Sequence, residues 1–129
     1  MSEARKPWLA PYSWDFVIFQ NASLCEQKNA FHGPSSDGYS TAQNLWESKY
    51  REPILLDEAI DLCRKCHRLG PFCFYNGNTF AAIARNLIQK LNLPLDQAFV
   101  ARSLAGHIVA GTASELEIAQ FQEFCRALE

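Results

Sequence analysis

The stretch that decides the fold is Phe72-Cys73-Phe74-Tyr75-Asn76-Gly77-Asn78-Thr79, followed without a break by residues 80–91, FAAIARNLIQKL. In the second half, Phe80, Ile83, Ala84, Leu87, Ile88 and Leu91 recur at i, i+3, i+4, i+7, i+8 and i+11, which gathers them on one face of a helix. In the first half, Asn76, Gly77 and Asn78 are residue types that tolerate left-handed backbone and cap helix starts. The spacing predicts a Gly/Asn loop feeding a helix that opens near Thr79 and ends at Leu91, stopped by Asn92 and Pro94. At such a junction several N–H groups lack partners at the positive end of the dipole. Asn76, Gly77, Asn78 and Thr79 are therefore a candidate anion- or nucleotide-binding site. The same residues also make a plain N-cap turn, and local sequence accommodates both readings.

Working towards the N-terminus, residues 1–12 carry Pro7, Trp8, Pro11 and Tyr12 and read as an irregular arm, leaving 13–129 as a single helical domain. Ser13 is placed to cap a helix from Trp14 to Ala30, with Trp14, Val17, Ile18, Asn21, Leu24 and Cys25 on one face. Asp15 to Phe19 also reads as a short strand. His32 to Tyr39, HGPSSDGY, is a loop. Ser40 and Gln43 have capping-box spacing and open a helix to about Arg51. Pro53 suits the first position of the next helix, which runs to Leu69 and closes on Gly70.

Towards the C-terminus, a helix spans Leu95 to Ala110 and stops at Gly111. Ser114 and Glu117 form a second capping box, and Ile118, Phe121, Cys125 and Leu128 form the buried stripe of the helix it opens. The alternation needed for a sheet is absent. Five to six helices with short loops predict an all-α, bundle-like domain. Its expected core is Leu55, Ala59, Leu62, Cys66, Phe80, Ile83, Leu87, Leu91, Val100, Leu104, Ile108, Ile118 and Phe121.

Composition bounds the function. The chain has 129 residues, enough for one core, with 48% hydrophobic and 20% charged residues, which are globular rather than disordered values. A net charge of −2 gives no electrostatic footprint for nucleic acid. No apolar run is long enough to span a membrane, and the N-terminal MSEARKPWLAPYSW lacks the apolar core of a signal peptide. Five cysteines without an export signal are expected as reduced thiols in a cytoplasm.

Cys63-Arg64-Lys65-Cys66-His67 matches the haem-attachment pattern C-x-x-C-H, but Met1 is the only methionine, so a distal ligand would fall to His32 or His107. A zinc site would use Cys63, Cys66 and His67 at i, i+3 and i+4, with Cys73 approaching from the loop. Against both, Cys66 continues the apolar series Leu55, Ala59, Leu62, where a reduced cysteine acts as a small hydrophobe. His67, in the last turn, suits the negative end of its helix. The reading is of no metal and no cofactor. Asp57, Glu58 and Asp61 read as a solvated face, and Trp8, Trp14 and Trp46 as anchors of the core or arm.

At the loop the chain resembles the Fic/Doc family, whose signature H-x-F-x-[D/E]-G-N-x-R lies at a loop-to-helix junction. The matching residues are Phe72 to Phe80, of which Phe74, Gly77 and Asn78 agree with the signature. The HGPSSDG loop, the segment ending Arg51-Glu52-Pro53, the helix from Leu56 to Leu69 and the C-terminal helix pair from Ala105 to Ala119 fall in the order seen in Doc-like proteins. The likeness covers roughly residues 32 to 129. It implies a Fic/Doc-like helical bundle with a nucleotide- or phosphate-handling loop.

The resemblance also implies which chemistry is missing. The family's histidine is a general base, and its position holds Phe72, which cannot accept a proton. The acidic residue that helps hold Mg²⁺ is Asn76, a neutral ligand. The arginine that braces phosphates is Phe80, and Arg85 is about 200° around the helix from Ile83, where a second arginine would fall. His67 precedes Gly70, so reaching the loop would require a distorted backbone. The expectation is a non-catalytic helical binding or regulatory module with a protein partner and room for weak phosphate or nucleotide binding. Two alternatives stay open: an unrelated helical protein–protein interaction domain, and an AMP or phosphoryl transferase with a displaced site.

Overall fold

The computed structural model describes residues 5–128. The first four residues of the expected arm and Glu129 lie outside them. Among the described residues there are six helices: α1 (Trp14–Gln27), α2 (Tyr39–Lys49), α3 (Leu56–Leu69), α4 (Asn76–Gln89), α5 (Leu95–Ala110) and α6 (Glu115–Ala127). The all-α class expected from the periodicity is thus what forms, and the Asp15–Phe19 strand alternative falls, since those residues lie in α1.

Helix α4 sits at the centre, packed on α1, α3 and α5, while α3 packs on α2, α4, α5 and α6. The reason is in the composition of α4: Phe80, Ala81, Ile83, Ala84, Leu87 and Ile88 are all buried, an apolar surface wider than one stripe, which only neighbours on several sides can cover. Phe80 packs against the Trp46 ring at 5.8 Å, and the Trp46 indole N–H donates to the Tyr12 carbonyl at 2.8 Å, which draws the N-terminal arm onto the core. Trp14 is buried as well, whereas Trp8 is half-buried under the Lys6 ammonium.

Several boundaries depart from the sequence reading, each for a tertiary reason. Helix α1 stops at Gln27 rather than Ala30, because Asn29 turns left-handed (φ 54°) and lets the Ala30 N–H close on the Cys25 carbonyl. Ser40 is not a cap: it lies inside α2, whose N-cap is Gly38 with no side-chain bond. Pro53 does not begin α3, because Ile54 exchanges two backbone hydrogen bonds of 2.9 Å with Lys6, and the helix starts only at Leu56. Glu58 then accepts from the Leu55 N–H at 2.9 Å and pairs with Arg5. The caps at Ser13, Gly70, Gly111 and Ser114 form as expected.

The core differs in two positions. Val100 and Ile118 are 54% and 39% exposed, and Leu55, Leu91 and Ile108 are only partly covered. The backbones of α2 and α6 stay apart. The gap between them over α3 is a cavity of about 380 Å³ whose walls include Leu45, Asp57, Asp61, Ile118 and Phe121, so the expected stripe of α6 is left half open.

The α5–α6 elbow carries an acid-sensitive contact. His107 Nδ1 lies 2.7 Å from Glu117 Oε2, and Glu117 Oε1 accepts from the Ser114 N–H at 3.1 Å. The hydrogen bond from His107, and then that from Ser114, hold the Glu117 carboxyl below the usual carboxylate range. A depressed carboxylate contributes stability above the ordinary range and loses it as pH falls through its lowered value. Urea titrations below about pH 4.5 should therefore show a shallower acid loss for Glu117→Gln than for the parent, and parallel curves would remove the contact from the account.

Candidate functional site

The helix does not open at Thr79. Asn76, Gly77 and Asn78 form the first turn of α4, and the residue that turns left-handed is Tyr75, the N-cap, at φ 60° and ψ 32°. The cause is the Asn76 side chain. Its Oδ1 accepts from the Phe72 N–H at 2.9 Å and its Nδ2 donates to the Phe72 carbonyl at 2.8 Å, so one carboxamide closes the bend that precedes the helix. A bulky residue in the left-handed region costs roughly 1–2 kcal/mol, which these two bonds offset.

Thr79 faces inward as well. It is fully buried, its hydroxyl donates to the Tyr75 carbonyl at 2.7 Å, and it accepts from Asn21 Nδ2 at 3.0 Å. Of the four candidate residues, then, two spend their side chains on the fold. Gly77 and Asn78 remain, in a first turn with no side-chain cap, and Asn78 is exposed.

Phe72, at the position of the family's base, is 3% exposed and lies in an aromatic cluster. It stacks on Trp14 (5.9 Å between centroids, 12° between planes), meets Tyr39 edge-on and lies beside His32. The Trp14 indole N–H donates to the Tyr39 hydroxyl at 3.1 Å. Phe80 is fully buried, and Arg85, more than two turns along α4, lies over Gly106 of α5: a methyl group on Gly106 would be 3.2 Å from its Nη2.

Two features are new relative to the sequence reading. The first is a buried polar network around Asn21. Its Nδ2 donates to the Phe74 carbonyl (2.8 Å) and to Thr79, so its Oδ1 is the acceptor for His32 Nδ1 (2.9 Å) and the Cys25 thiol (3.6 Å). That orientation requires the proton on His32 Nδ1. An asparagine on the apolar face of α1 was the signal for it.

The second is His67. Its Nδ1 donates to the Val109 carbonyl at 2.7 Å, tying α3 to α5, and a methyl group on Gly77 would lie only 3.2 Å from its Nε2. The imidazole thus lies against the first turn of α4 without any distortion of the loop, a proximity that chain order conceals.

Cys63 and Cys66 are fully buried, and burial pushes their thiols up, that of Cys66 to about 12. Cys73 is exposed, 3.5 Å from the Pro34 carbonyl. Among the described residues no three His, Cys, Asp or Glu side chains converge in a way that could hold a metal ion. No helix among them is long and apolar enough to cross a membrane. Compared with known family models, curated proteins and solved structures, the chain matches none.

Proposed function

We propose that this chain is a non-catalytic helical binding or regulatory module of the cytoplasm, built like a Fic/Doc protein in which the transferase residues have become structural. The observation that carries the reading is the fate of the loop. Phe72 is buried among aromatic rings where a base would need access to substrate, and the Asn76 carboxamide is engaged by the Phe72 backbone instead of facing a metal.

What supports residual anion binding is the uncapped first turn at Gly77 and Asn78. With no arginine clamp and no carboxylate, phosphate or a nucleotide should bind at around millimolar affinity, about −4 kcal/mol, and Mg²⁺ should not tighten it. An amide-shift titration with ATP, with and without Mg²⁺, should move Gly77 and Asn78 first. A labelled-nucleotide assay should detect no transfer to protein. Transfer that disappears in His67→Ala would establish an enzyme with a displaced site, for which the contact between His67 and Gly77 is the structural basis.

A second reading, an unrelated helical domain for protein–protein contacts, is favoured by a separate observation. Phe19, Phe31, Leu95, Phe99 and Leu116 are each at least 67% exposed, apolar side chains that a protein partner could cover. An ATP titration silent at Gly77 and Asn78 would leave this reading in front.

A further inference from the structure

The cavity over α3 combines apolar walls with charge that the fold leaves unused. Leu45 of α2, Ile54 of the link to α3, and Ile118 and Phe121 of α6 line it, and its volume of about 380 Å³ lies in the range of small-ligand pockets. Three carboxylates and two ammonium groups line it too: Asp57, Glu58, Asp61, Lys49 and Lys65. Most of that charge is spent within the chain. Glu58 Oε1 accepts from the Leu55 N–H at 2.9 Å and from Arg5 at 3.1 Å. Both Asp61 oxygens are taken, Oδ1 by Arg64 at 2.7 Å and Oδ2 by Lys65 at 3.3 Å. Asp57, half-buried, and Lys49, exposed, are left with no ion-pair or hydrogen-bond partner among the described residues. They do not pair with each other, although both stand where α2 passes into α3: Lys49 ends α2, Asp57 lies in the first turn of α3, and residues 50–55 link the two helices.

A ligand that complements this arrangement carries a cation, an anion and an apolar body. From that match we infer that the cavity binds an apolar α-amino acid, with its ammonium on Asp57, its carboxylate on Lys49 and its side chain between α2 and α6. Opposite charges beside an apolar wall are screened less than in bulk water, so each contact to the ligand is a charge-assisted hydrogen bond of useful strength. The apolar walls select the side chain, because a polar one would lose its hydration against Leu45, Ile118 and Phe121. None of these groups belongs to the α4 loop, so the cavity is available whether or not that loop holds an anion.

The whole chain, titrated with L-leucine and followed by amide shifts, should respond at Leu45, Ile118 and Phe121. L-Alanine should bind at least about tenfold more weakly, since each buried methylene is worth about fourfold in affinity. Asp57→Asn and Lys49→Gln should each weaken leucine binding by about tenfold, the usual worth of a charge-assisted hydrogen bond. N-acetylleucine, which has no ammonium, should bind wild type and Asp57→Asn alike. Isoamylamine, which has no carboxylate, should bind wild type more weakly than leucine and be indifferent to Lys49→Gln. Leucine that leaves the cavity amides unmoved at tens of millimolar would overturn the inference. So would a leucine affinity unchanged in either variant, or isoamylamine that binds wild type as tightly as leucine.

Discussion

Replacing Gly38 by alanine is expected to destabilise the protein by at least about 3 kcal/mol, at the upper end of what overpacking costs. An added methyl group would overlap the Leu69 carbonyl oxygen and come within 2.8 Å of the Leu69 carbonyl carbon and 2.9 Å of the Gly70 oxygen. All three are backbone atoms and cannot rotate away. Nor can the loop easily withdraw. The Ser35 hydroxyl donates to the Gly70 carbonyl, the Gly38 N–H donates to Ser35 Oγ at 3.3 Å, and the Ser35 N–H donates to Pro71 at 2.8 Å. Since φ at Gly38 is an ordinary −109°, glycine is required there for space and not for handedness. Gly106→Ala is the control. The atoms nearest its methyl would be those of the Arg85 guanidinium, a movable end, while helix propensity favours alanine by up to ~1 kcal/mol, so that variant should be neutral or more stable. Urea midpoints at constant m measure both. A Gly38→Ala variant as stable as its parent would mean that the loop is not docked on the end of α3.

Phe121→Ala should cost about 3–5 kcal/mol and loosen α6 in particular. Phe121 is 2% exposed and the one buried residue of that helix, its ring tilted against that of Phe124 at 5.8 Å between centroids. Ile118, which lines the open cavity and is 39% exposed, should lose clearly less than Phe121 on the same truncation, because a larger share of its surface stays in water. Amide exchange should accelerate along Glu115–Ala127 in the Phe121 variant before the rest of the chain opens. If Ile118 proved the costlier of the two, the packing of α6 would have to be redrawn.

The helices were legible because helix patterning is local. The series from Phe80 to Ile88 could only be a buried face, and Gly111 with Ser114 and Glu117 marks the α5–α6 elbow by side-chain chemistry that acts within four residues. Where a boundary depended on a distant segment, the local signal misled. Ser40 and Gln43 have the right spacing for a cap, yet α2 starts earlier because Gly38 packs against the end of α3 and Tyr39 joins the ring cluster of Trp14 and Phe72. Val100 sits at helical spacing from Leu104 but is 54% exposed, so the packing of α5 covers less than half of it.

The candidate site divides in the same way. Residue identities alone determined that Phe72 brings no base, Asn76 no negative charge and Phe80 no phosphate clamp, because those are properties of side chains wherever they lie. They also determined that a helix begins beside Asn76-Gly77-Asn78. Only the tertiary structure decided how the remaining groups are used: that Asn76 closes on Phe72, that Thr79, His32 and the Cys25 thiol converge on Asn21, and that His67 rests on Gly77. These contacts join residues as much as 58 positions apart. Periodicity reports which face of a helix is apolar. The packing of α1, α3 and α5 around α4 determines which polar groups meet at its end.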